Sequence, residues 1–190
     1  MNRGDAIAPL GIALVALMAA LTAVGAFIKI PLPYVPITLQ IPFVCLAGLL
    51  LGPWRGATSQ VVYLVIGLIG FPVFAKGGGP QYVLEPSFGY LLGFIPAAFV
   101  AGLITRKSRT YGRCALGVLA ALFVDYIVGV PYLAAVMAFI LATPIELQSA
   151  LKIGLLPLPK DLVVGLATAY LGFRMTRVLE PVLRPGVGGD

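Results

Sequence analysis

The chain has 190 residues, of which 60% are hydrophobic and 11% charged, with a formal charge of +6 and a mean hydropathy of +1.03. Soluble domains are roughly 45–50% apolar and about 25% charged, so this composition places the chain in a lipid bilayer, as one domain over 1–190 with little outside the membrane. The absence of histidine excludes imidazole metal sites, histidine-ligated haem and histidine-based triads.

Apolar runs fall at 8–28, 37–53, 56–71, 88–105, 114–130, 132–143 and 160–179. A helix needs about 20 residues to cross a bilayer, with a range of about 17–25. Run 8–28 is too long for a signal-peptide core and has no small-residue cleavage site, so it predicts a retained first helix. Runs 37–53 and 56–71 are short, which predicts tilt or local bilayer thinning. Run 132–143 is too short to cross; it begins after Pro131, ends at Pro144 and predicts a re-entrant or outer-face helix. The expected fold is an all-α integral membrane protein with six transmembrane helices and a flexible tail from about residue 180 to 190.

Charge placement supports six spans. With the N-terminus inside, the inner side carries Arg3, Arg55, Arg106, Lys107, Arg109, Arg113, Arg174, Arg177 and Arg184, and the outer side only Lys29, Lys76, Lys152 and Lys160. That is the bias of cytoplasmic loops toward Lys and Arg. The basic residues flank membrane segments rather than forming a soluble patch, so no nucleic-acid partner is expected. Cys45 and Cys114 lie in or beside apolar runs and read as packing residues.

The outer connections are then 29–36, 72–87 and 131–159, and they hold most of the helix-breaking residues: "KIPLPYVP", "FPVFAKGGGP", and Pro144, Pro157 and Pro159. Non-helical backbone at membrane depth must be buried in protein or line a polar cavity. The pattern predicts a capped ligand pocket opening outward. No repeat suggestive of an inverted-repeat transporter is evident.

Several residues are candidates for the pocket. Gly77, Gly78 and Gly79 allow close backbone approach to a ligand, or form a flexible loop. Gln40, beside Thr38, offers a donor and an acceptor to a ligand amide or urea, or belongs to a helix start capped by Thr38. Lys160 and Asp161 open the last span, as a first-turn acid favoured by the helix dipole or as a charged pair at the pocket mouth. Asp125 lies inside the fifth span, where an acid is costly and marks either a function or an inter-helix hydrogen bond to Tyr or Lys. Ala16 with Ala20, and Ala19 with Ala23, form small-xxx-small pairs, for packing within the chain or docking onto another membrane subunit.

The segments "PYVPITLQ" (33–40), "GLIGFPVFAKGGGP" (67–80), "PSFGYLLGFIPAAFVAG" (86–102) and "ALKIGLLPLPKDLVVG" (150–165) run in order over most of the chain. Together they resemble the biotin-specific substrate-binding subunits, the BioY family, of energy-coupling factor transporters. The resemblance implies a six-helix subunit that binds biotin from outside the cytoplasmic membrane of a bacterium or archaeon, with both termini cytoplasmic. It implies a transmembrane coupling protein and two ATPases as partners, and the chain has no G-x-x-x-x-G-K-[ST] of its own. No catalytic residue, metal or cofactor is implied; biotin is the transported ligand. Ala16 and Ala20, continued by Ala23, would contact the coupling protein.

On this resemblance, residues 70–94 form a lid over a site for a ureido ring, a thioether ring, an apolar chain and a carboxylate. Phe74, Tyr82 and Tyr90 would cover the rings, and Asp161 would accept from ureido N–H groups. The family pattern has a lysine one turn after that aspartate, where this chain has Val164. The carboxylate is therefore left to Lys160, to Lys152 or to backbone donors, and Glu85 has no assigned role. The alternatives are a subunit for another vitamin such as thiamine or riboflavin, and a non-transport membrane scaffold. Aromatic stacking favours neither vitamin, because the one tryptophan, Trp54, lies beside Arg55 on the inner side. One buried acid without histidine also argues against an intramembrane enzyme.

Overall fold

A computed structural model describes residues 3–140 and 147–183, with side chains described for 9–140 and 148–178. Seven helices follow in chain order: α1 (Arg3–Phe27), α2 (Gln40–Leu51), α3 (Pro53–Leu68), α4 (Phe88–Thr105), α5 (Tyr111–Phe139), α6 (Leu147–Leu155) and α7 (Leu158–Leu183). Six are long, and α6 is a short addition of 9 residues. A hairpin of two-residue strands, β1 (Lys29–Ile30) and β2 (Ile37–Thr38), interrupts the helical plan between α1 and α2.

Among the described residues, three segments are long and apolar enough to cross a membrane: Pro9–Phe27, Phe88–Thr105 and Tyr111–Phe139. The short second span is confirmed in α2, whose 12 residues reach only about 18 Å at 1.5 Å per residue. It survives by burial: Val44, Cys45 and Ala47 are fully enclosed among the other helices. Small residues let neighbours approach. A Cβ on Gly102 would sit 2.5 Å from the backbone of Gly52 and Pro53, so α4 crosses the α2–α3 turn almost backbone to backbone.

The sequence expectation for 132–143 requires correction. Residues 132–139 are not a separate outer helix but the end of α5, which passes through Pro131 without breaking; residues 141–143 lie outside the described set. Proline removes one backbone donor and normally kinks a helix, but inside a bundle the neighbouring helices compensate. Leu133, Val136 and Met137 continue the buried face of α5 past the proline. At 29 residues α5 is about 43 Å long, well beyond the roughly 30 Å of a hydrocarbon core.

Connection 131–159 is corrected in the same way, since it contains α6 as well as the end of α5. Pro159 is the second residue of α7, in the first turn where its missing N–H costs nothing. Helix α7 runs to Leu183, and the rest of the expected tail, residues 184–190, falls outside those described.

The helix ends sort into two groups. At one end Arg109 Nη2 donates to the Leu50 carbonyl at 3.3 Å, and Arg106, Lys107 and Arg177 surround one polar depression. At the other, the starts of α2, α4 and α7 meet the connections 28–39 and 69–87. All the arginines among residues with described side chains belong to the first end.

Candidate functional site

The second end encloses a chamber. Its wall includes Thr38, Gln40 and Ile41 at the start of α2, Tyr90, Leu91 and Phe94 on α4, and Asp125 and Tyr126 on α5. Pro157, Lys160 and Asp161 enter at the start of α7, and Val35, Pro36, Ala75, Tyr82 and Ser87 come from the connections. Apolar and aromatic side chains make up much of the wall, polar groups enter from every side, and the charged ones come from α5 and α7. Three helix N-termini point toward this space, which favours an anionic group within it.

The chamber's polar cluster is centred on Asp161. Tyr126 Oη donates to Asp161 Oδ2 at 2.7 Å, and Lys160 Nζ forms an ion pair with Oδ1. Lys160 Nζ also donates to the Thr38 carbonyl, tying α7 to β2. Asp161 lies in the first turn of α7, so the helix dipole supports its charge, but it is not the cap; its side chain turns to Tyr126 and Lys160 instead. Asp125 is 1% exposed, and its Oδ1 has no hydrogen-bond partner among the described residues. The expected inter-helix bond from Tyr or Lys to Asp125 is absent among them, because the adjacent tyrosine serves Asp161.

Gln40 is held from both sides. Its Nε2 donates to Tyr63 Oη at 2.8 Å, and its Oε1 accepts from Thr38 Oγ1 at 3.0 Å. Leu39 occupies the cap position of α2 with no side-chain cap bond, and Thr38, one residue earlier, accepts at Oγ1 from the Gln40 N–H at 3.5 Å. Gln40 therefore presents a pre-oriented amide to the chamber. Tyr90 is anchored by donating from Oη to the Gly154 carbonyl at 2.6 Å, which fixes α6 against α4, and its ring meets that of Tyr126 edge-on at 5.5 Å.

The lid is shorter than expected: it ends at Ser87, and Phe88–Phe94 forms the first two turns of α4. Phe74 and the three glycines are absent from the chamber wall. Phe74 is buried behind it, edge-on to Tyr63 at 5.4 Å and tilted against Tyr82 at 4.6 Å, so it supports the tyrosine that lines the chamber. Gly77 and Gly79 adopt φ of 124° and 105°, conformations that disfavour any side chain, and Gly79 N–H donates to the Gly67 carbonyl at 2.8 Å. The glycines bend the lid against the end of α3. Lys152 is exposed on α6 and is likewise not part of the wall.

Residues that the sequence did not single out complete the site. Tyr126 was legible only as the neighbour of Asp125. Ser87 lines the chamber with a buried Oγ that has no partner in hydrogen-bonding geometry. Burial pushes the Tyr82 phenol above its ordinary pKa, so it acts as a neutral hydroxyl.

Glu85 now has a place. Lys76 Nζ donates to Glu85 Oε2 at 2.9 Å and to the Pro33 carbonyl at 2.7 Å, while Lys29 Nζ donates to the Ala75 carbonyl. Tyr132, on the overlong end of α5, donates to the Val83 carbonyl at 2.5 Å. These bonds latch lid to hairpin and to α5. The Lys76–Glu85 pair is partly exposed and so worth at most about 1 kcal/mol. Glu85→Gln is expected to raise the ligand dissociation rate by no more than about fivefold with little change in association; stopped-flow release measurements check this.

On α1, Ala16 and Ala20 lie on the outward face with Leu17 and Val24, whereas Ala19 is buried and Ala23 half-buried against the core. The two small-residue pairs therefore divide. Ala16 and Ala20 are free for an external contact, and Ala19 with Ala23 packs within the chain.

The architecture is that of a polytopic helical membrane protein with a pocket among the helix starts at one end. The BioY family model matches residues 3–181, and the chain belongs to the BioY family. Among its relatives, a probable biotin transporter BioY of Lysinibacillus sphaericus is 46% identical over 174 residues, covering 90% of this chain and 89% of the relative. A probable biotin transporter BioY of Pyrococcus horikoshii is 40% identical over 161 residues, covering 84% and 91%. A crystal structure of the S-component for biotin from an ECF-type ABC transporter superposes with a TM-score of 0.77 at 27% identity, covering 93% of this chain and 95% of that one.

Proposed function

We propose that this protein captures biotin from outside the cell with high affinity and delivers it across the cytoplasmic membrane. It is the substrate-binding subunit of an ATP-driven vitamin importer, and it is not itself an enzyme. A transmembrane coupling protein and two ATPase subunits supply the energy, and both termini face the cytoplasm. The charge bias supports this orientation, since the arginine-rich end lies opposite the chamber.

The observation that carries the reading is a chamber with largely apolar walls and one buried acid cluster, Asp161–Tyr126–Lys160. A cyclic urea on an apolar body needs that division: hydrogen-bond acceptors for its N–H groups and dry surface for the rest. Lys160 is engaged by Asp161 and the Thr38 carbonyl. The ligand carboxylate is accordingly assigned to the Ser87 and Tyr82 hydroxyls and the N-terminus of α4.

Calorimetry on the purified chain without ATP tests the substrate. Saturable binding of biotin, with none of thiamine or riboflavin, is expected. Saturation by one of those vitamins and not by biotin would overturn the reading.

A further inference from the structure

The mechanism so far uses Asp161 and leaves a second buried acid unemployed. Asp125 contributes to the same chamber wall, from α5 rather than α7. It is 1% exposed, and its Oδ1 has no partner among the described residues. The fold makes room for it. Gly93 of α4 faces it so closely that an added Cβ would lie 3.0 Å from the Asp125 carbonyl oxygen and 3.1 Å from its Cα, and the carboxylate occupies the place a side chain would need. Lys160, the one lysine in the wall, is committed to Asp161 and to the Thr38 carbonyl. An acid at this depth with no protein donor is costly and calls for a donor from elsewhere.

We infer that Asp125 is a specificity-determining residue, its carboxylate accepting one N–H of the ligand's cyclic urea while the Asp161 carboxylate accepts the other. This deepens the biotin reading and rests on it. A urea places an N–H on each side of its carbonyl. Asp125 and Asp161 reach the same chamber from two different helices, so each can serve one side of such a ring, whereas a single acid would admit any ring with one donor. The chamber thus selects a ligand with two N–H donors on one ring and discriminates against rings that present an acceptor at either position. A site built to hydrogen-bond a donor rejects an analogue lacking it far better than an apolar pocket rejects a change of size.

The test uses the full chain in detergent or nanodiscs and competition against labelled biotin. The probes are biotin and two cyclic-carbamate analogues, each with one ring N–H replaced by oxygen, which changes a donor to an acceptor at nearly constant shape. The native protein is expected to bind each carbamate about 10- to 100-fold more weakly than biotin. Asp125→Asn is expected to lose about 10-fold or more for biotin. It should erase most of the further penalty for one carbamate while keeping it for the other; Asp161→Asn should show the reverse pattern. Such a crossed cycle reports a direct pairing that a general packing defect would not produce.

If the native protein binds either carbamate as well as biotin, the two-acid readout is overturned, and that arm needs no variant to fold. Unchanged penalties for both carbamates in Asp125→Asn overturn it equally. Failure of the native protein to saturate with biotin overturns the functional reading itself, whereas normal biotin binding with uncrossed penalties overturns only the role of Asp125.

Discussion

Asp161→Asn is expected to weaken biotin binding about 100-fold while Glu85→Gln changes the equilibrium constant by less than about fivefold. The contrast follows from burial and from what each carboxylate holds. Asp161 is 3% exposed, accepts from Tyr126 Oη at 2.7 Å and pairs with Lys160, which in turn reaches the Thr38 carbonyl. An asparagine keeps the size but places an NH₂ where an acceptor is needed, leaving either the tyrosine hydroxyl or the lysine without its partner. The bond lost to the ligand is one to a charged carboxylate, and such bonds contribute about 1.5–3 kcal/mol, about 10- to 100-fold in affinity; the weakened hold of Lys160 and Tyr126 on that side chain places the variant at the upper end. Glu85 touches only Lys76, in a partly exposed pair. Calorimetry on both variants, with melting curves to show that each is folded, checks the prediction. Small and equal effects would leave Asp161 as no more than a favourable first-turn acid.

What the sequence made legible follows from the strength of each physical signal. Six long helices were readable because bilayer crossing demands long apolar runs, and no tertiary context is needed to see them. Asp161, Lys160 and Gln40 were legible because they stand beside the helix breaks of one end, whereas Tyr82 and Tyr90 came only with the family resemblance; all five line one chamber. The end of α5 was misread because Pro131 is a strong local breaker, while Leu133, Val136 and Met137, which carry the helix onward, act through tertiary packing. The glycines of the lid show the same limit. A run of three glycines signals unusual backbone but not what it approaches, and here Gly78 faces the Phe71 and Gly67 carbonyls. Phe74 is the converse case: an aromatic beside a ligand loop is as suited to backing the wall as to lining it, and only packing decides.

The lid and the acid cluster are mechanically joined. Lys160 ties the acid cluster to β2, Lys29 ties β1 to the lid at Ala75, and Lys76 ties the lid back to Pro33 of the same hairpin. Asp161 is thereby joined through a chain of contacts to the hairpin and the lid. The exposed stripe on α1 is not part of this chain. It runs along α1 toward the arginine-rich end, where Gly11 packs against the Arg55 guanidinium.

That separation gives the second large effect. Ala16→Trp and Ala20→Trp are expected to leave biotin affinity within about twofold of the native value and to lower ATP-dependent uptake at least tenfold. Without a hydrophobic drive between helices in lipid, association depends on close packing, for which small residues are required. Ala16 and Ala20 are exposed beside Ile12, Leu17 and Val24, so an indole there points away from the core and fills the space a partner helix would use. Loss of about 1.4 kcal/mol of docking free energy already lowers complex formation tenfold. Ala19→Trp is the matched control: Ala19 is 3% exposed in the core, and a large ring there should lower the yield of folded protein. Binding to the isolated chain and uptake by cells carrying the complete transporter together separate the outcomes. Native uptake in both exposed-face variants, alongside a poorly folded Ala19→Trp, would show that this face of α1 meets lipid and that the coupling protein docks elsewhere.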